Sequence, residues 1–123
     1  MGNNSTKYNA YGGGEADIES LERSVTTLFI SNTPDNRLLF ESAIKTASDK
    51  TSCSEAVANV CKTIYFELAD EDGNMLTSEL TDNEQVISYM MQYMSSTCGG
   101  HVVQNAIMSI GSEEVQSALS SLY

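Results

Sequence analysis

The sequence predicts a mainly α fold: a compact bundle of five to six short helices, one small β-hairpin at about residues 63–80, and a flexible N-terminal arm. Three observations lead there. Apolar residues recur at three- and four-residue spacing through most of the chain, as they do along one face of a helix. Ser or Thr stands just ahead of several such runs, where a hydroxyl can cap the first turn. Only the stretch from Thr63 to Leu80 breaks the pattern, with β-branched and aromatic residues side by side. At 123 residues there is room for one domain that buries about two thirds of its unfolded surface, and none for a second.

Residues 1–14, MGNNSTKYNAYGGG, are polar and end in three glycines, the composition of a flexible arm; residues 15–123 form the domain. Gly2 with Thr6 fits the N-myristoylation pattern. From Glu15 onward Ile18, Leu21, Val25 and Leu28 repeat at helical spacing, and Glu15, Asp17 and Glu19 place negative charge at the positive end of the helix dipole. Thr33 then reads as an N-cap with Pro34 at the first helical position, opening a helix to about Ala47 with Leu38, Leu39, Ala43 and Ile44 inward. Ser52 with Glu55 forms a capping box for the next helix, carried by Val57, Val60, Cys61 and Ile64.

In the central stretch Ile64, Phe66 and Leu68 alternate with Tyr65 and Glu67, which is strand spacing. Gly73 and Asn74 supply the positive φ that a chain reversal needs, and Met75 to Leu80 alternates again. The same residues also carry much of a calcium-loop pattern. Counted from Leu68, Asp70, Asp72, Gly73 and Glu79 fall at loop positions three, five, six and twelve, although Leu68 stands where a carboxylate belongs.

Beyond it, Thr81 and Glu84 read as a capping box for a helix from Asp82 to about Ser95, with Val86, Ile87, Met90, Met91, Tyr93 and Met94 apolar. Three methionines in five positions give an adaptable face of the kind that accepts more than one shape of partner, or that fills irregular gaps in a core. Gly99 or Gly100 ends this helix, Val103, Ala106, Ile107 and Ile110 carry the next, and Ser112 caps the last, with Val115, Leu119 and Leu122 inward.

Charge is divided along the chain. The net charge is −11; all six Lys and Arg lie at or before Lys62 beside eight acids, and the remaining nine acids lie beyond it with no Lys or Arg. Such a surface repels nucleic acid and anionic lipid, so no direct nucleic-acid binding is expected, and it suits a basic protein partner. It also suits a decoy that occupies a nucleic-acid-binding groove. No apolar run approaches the roughly 18 residues of a membrane span. The opening residues lack the apolar core of a signal peptide, and three cysteines, Cys53, Cys61 and Cys98, form an odd, sparse set that fits a reducing compartment. A cytoplasmic or virion setting is therefore expected.

Catalytic signals are absent: there is no P-loop, no dinucleotide fingerprint and no Ser elbow, and His101 is the sole histidine. Cys98 and His101 could present a thiolate and an imidazole to zinc, but Cys53 and Cys61 on one helix would stand about 12 Å apart, too far to share an ion with Zn–S bonds of about 2.3 Å. The expected function is thus a non-enzymatic protein-interaction module: an acidic adaptor or a structural component of an assembly, of viral or phage type, with a homo-oligomer or larger assembly as its setting. Its partner face would comprise Met90, Met91, Tyr93 and Met94 together with Glu67, Asp70, Glu71 and Asp72. No cofactor is expected for that role. The alternative is a metal binder, with calcium at Asp70, Asp72 and Glu79 or zinc at Cys98 and His101.

Overall fold

The computed structural model describes residues 12–123, which form seven helices and, among the described residues, no strand. In order these are α1 (Gly12–Ile30), α2 (Pro34–Lys50), α3 (Cys53–Leu68), α4 (Thr77–Asp82), α5 (Glu84–Cys98), α6 (Gly100–Met108) and α7 (Glu113–Leu122). The three glycines at 12–14, expected in the arm, belong to the first turn of α1; the remainder of the expected arm, including Gly2 and Thr6, lies outside the described residues.

Local sequence sets the helix starts. The hydroxyls of Thr33, Ser52 and Ser112 accept from the backbone N–H groups of Asn36, Glu55 and Val115, so three of the orphan donors at helix N-termini are satisfied. The expected cap at Thr81 does not form. Residues 77–82 coil into the short α4, and α5 starts two residues later than expected, after Asn83, whose side chain makes no cap.

α3 runs through the middle of the bundle, touching α1, α2, α4, α5 and α6. Its buried stripe of Val57, Val60, Cys61, Ile64 and Leu68 meets Leu21, Val25 and Leu28 of α1, Phe40 and Ile44 of α2, and Ile107 of α6 in one continuous core. On α2 the inward residues are Phe40, Ile44 and Ala47, whereas Leu38 and Leu39 are exposed, a rotation of the helix away from the expected face. α6 and α7 close the bundle with Val103, Ile107, Val115 and Leu119.

The hairpin expected at 63–80 is not there. Thr63 to Leu68 are the last turns of α3, because Ile64 and Leu68 continue the helical register of Val57, Val60 and Cys61 into the core. A strand would have put Phe66 on the same face as Ile64 and Leu68. Instead those two are buried and Phe66 is 63% exposed. What remains of the reversal is a single antiparallel bridge, Ala69 to Met75, between α3 and α4.

Candidate interaction surface

The corner between α3 and α4 is built by one carboxylate. Asp70 Oδ1 accepts from the backbone N–H groups of Asp72 and Asn74, both at 2.9 Å, and the Asp70 carbonyl accepts from Gly73 N–H at 3.0 Å. Gly73 closes this turn at φ +84°, a left-handed conformation that costs a residue with a Cβ roughly 1–2 kcal/mol. The turn holds Glu71 and Asp72 exposed at its tip, with Glu79, Asp82 and Glu84 following on α4 and the start of α5. Seven carboxylates thus fall between residues 67 and 84, a segment that contains no Lys or Arg. Glu67, half-buried on the last turn of α3, has its carboxyl pushed above the ordinary range by burial and then by the negative charge of Glu79.

Three cations of the first half are engaged with aromatic rings. The Arg37 guanidinium lies 4.8 Å from the ring centre of Tyr89, and its Nε donates to Asn32 at 2.8 Å. Lys45 stands over Tyr93 and Lys62 over Phe66, each at 5.9 Å. Tyr89 donates its hydroxyl to Glu41 at 2.7 Å; burial and that carboxylate hold the phenol protonated well above its usual range.

The methionine part of the expected partner face is not a surface. Met90, Met91 and Met94 are fully buried, packed with Ile87 as the core-facing stripe of α5, and only Tyr93 is half exposed. The chain uses these methionines for their other capacity, filling the space between helices. Glu67, Asp70, Glu71 and Asp72 do gather at one corner, and they lie outside the stripe that Met90 begins.

Neither metal arrangement assembles. Among the described residues no group of three His, Cys, Asp or Glu side chains is placed to hold a metal ion. At the calcium candidate, Asp70 is committed to its own turn and Glu79 sits on α4 beside Glu67. At the zinc candidate, Cys98 is bonded to Cys53 and has no thiolate to offer, while His101 is exposed. The Cys53–Cys98 disulfide joins the start of α3 to the end of α5, with Cα atoms 5.6 Å apart. The third cysteine, Cys61, is buried in the core, and burial pushes its thiol up to about 12. The odd count therefore reflects one bonded pair and one inert core residue, a different division from the three free thiols expected of a reducing compartment.

Among the grooves, one lies between α3 and the α6–α7 corner, holding about 360 Å3 and lined by Lys62, Tyr65 and Phe66 on one side and Ser109, Ile110 and Gly111 on the other. Sequence reading missed it because it placed Tyr65 and Phe66 on a strand; the exposed aromatic on a lengthened α3 was the signal. No helix among the described residues is long and apolar enough to cross a membrane. No family model, curated protein or solved structure matches the chain.

Proposed function

We propose that this chain is a non-enzymatic interaction module that meets a basic protein partner through the acidic corner of α3, α4 and the turn between them. The observation that carries this is the run of seven carboxylates from Glu67 to Glu84 without a Lys or Arg among them, with Glu71 and Asp72 exposed on a turn that Asp70 caps. Charge of one sign concentrated at one corner speeds encounter with an opposite surface and rejects wrong partners. The Glu67 carboxyl is raised first by burial and then by the like charge of Glu79, and a cation brought beside that pair would offset the second of these. The disulfide favours an oxidising setting for that meeting over the cytoplasmic one first expected.

The test is affinity capture from the native source with the natural chain and with the Glu71→Lys/Asp72→Lys variant, whose side chains are exposed and take no part in the turn's hydrogen bonds. A specific partner should be retained by the natural chain at low salt, and lost both on charge reversal and at high salt. Retention of the same proteins by both chains, at both salt concentrations, refutes the reading. If the retained partner binds nucleic acid and releases it to this chain, the module acts as a decoy of the groove that held it.

A further inference from the structure

Resting on that reading, we propose that the groove between α3 and the α6–α7 corner is the second half of the same docking surface, and that its occupant is an amphipathic basic peptide segment of the partner. Phe66 is 63% exposed and stands beside Ile110 and Tyr65 in a groove of about 360 Å3. That is near the lower end of the roughly 300–1,000 Å3 of ligand pockets, a size that receives an apolar anchor better than a whole segment. An exposed aromatic beside a preformed groove is the arrangement that anchors partner side chains.

Tyr65 links the groove to the acidic corner. It lines the groove, and its hydroxyl stands 3.4 Å from where a Cβ on Gly73 would be, so the tip of the acidic turn rests against it. The groove therefore has Asp70, Glu71 and Asp72 toward one end. Lys62 lines the groove as well, with its Nζ 5.9 Å from the Phe66 ring centre. Those charges order the occupant: Lys or Arg over the acidic turn, a large apolar side chain between Phe66 and Ile110, and a neutral or acidic residue beside that anchor to meet Lys62. A peptide of uniform positive charge would place a cation against Lys62, and an apolar one would leave the turn's carboxylates without a partner.

The experiment selects a displayed library of random peptides on the intact, disulfide-bonded chain, then measures binding of the enriched peptides to the natural chain, to Phe66→Ser and to Glu71→Lys/Asp72→Lys. Retention of the natural unfolding temperature shows that each variant is folded. The proposal expects enriched peptides with a large apolar residue flanked on one side by Lys or Arg. It expects about tenfold weaker binding to Phe66→Ser, which removes the aromatic anchor, and loss of the basic preference on charge reversal. Loss on charge reversal with no change in Phe66→Ser removes the groove from the surface and leaves the acidic corner standing. Absence of enrichment, or equal binding to all three chains, overturns both.

Discussion

Replacing Cys53 and Cys98 together by Ser removes a cross-link between residues 45 positions apart, from the first residue of α3 to the last of α5. In the unfolded chain that link closes a large loop, and the lost loop entropy for this separation corresponds to about 4 kcal/mol at 25 °C. For a domain of this size that amounts to a fall of about 15 °C in unfolding temperature. Both cysteines are half-buried, so two hydroxyls can take the places of the sulfurs without opening a large cavity, and the change acts mainly on the unfolded state. Urea denaturation of the oxidised chain, the reduced chain and the double Ser variant measures the effect. Reduced and Ser chains should unfold at similar, lower urea concentrations. Thiol titration of the oxidised chain should find no reactive group when folded and one, Cys61, when unfolded. Three reactive thiols in the unreduced chain, or a double variant as stable as the natural one, would refute the pairing and the oxidising setting drawn from it.

Met91→Ala should destabilise the fold by about 2–5 kcal/mol, because the side chain is fully buried in the core stripe of α5, and Met91→Lys should unfold the domain outright; circular dichroism melts decide it, and a folded Lys variant would show that α5 presents a surface. Glu67 sets a pH dependence of definite sign. The folded chain holds its proton more tightly than the unfolded chain does, so its contribution to stability is complete below the ordinary Glu value of about 4.3 and is lost as pH rises through the raised folded value. Glu67→Gln should remove that decline and leave the variant the more stable at neutral pH, as read from urea midpoints across a pH series; parallel curves for the two chains would contradict it.

The parts of this fold that were legible in the sequence are those fixed by neighbours in the chain. Thr33 before Pro34, Ser52 and Ser112 act as caps because a hydroxyl needs only the N–H three residues on. Leu21, Val25 and Leu28 point inward because their spacing leaves α1 one apolar face. What failed depended on distant parts of the chain. Thr63 to Phe66 have strand composition, yet the core that receives Ile64 and Leu68 extends the register of α3 through them, and packing overrides propensity. The methionine stripe was visible as a stripe, but what it faces is decided by the helices packed over it. Cys53 and Cys98 are brought together by the packing of α3 against α5, which no spacing of three cysteines discloses. Of the candidate site, the carboxylates from Glu67 to Glu84 could be read directly, since their crowding is itself a property of the sequence; the groove beside them could not, since it needs α6 and the turn after it for its second wall.

The most direct measurement is a nuclear magnetic resonance titration of the isotopically labelled, oxidised chain with oligolysine, at low and then at raised ionic strength. An acidic docking corner should give amide shifts concentrated between Glu67 and Glu84 that fade as salt screens the charges. Shifts scattered over α1, α2 and α7, or shifts at the corner that salt leaves unchanged, would contradict it.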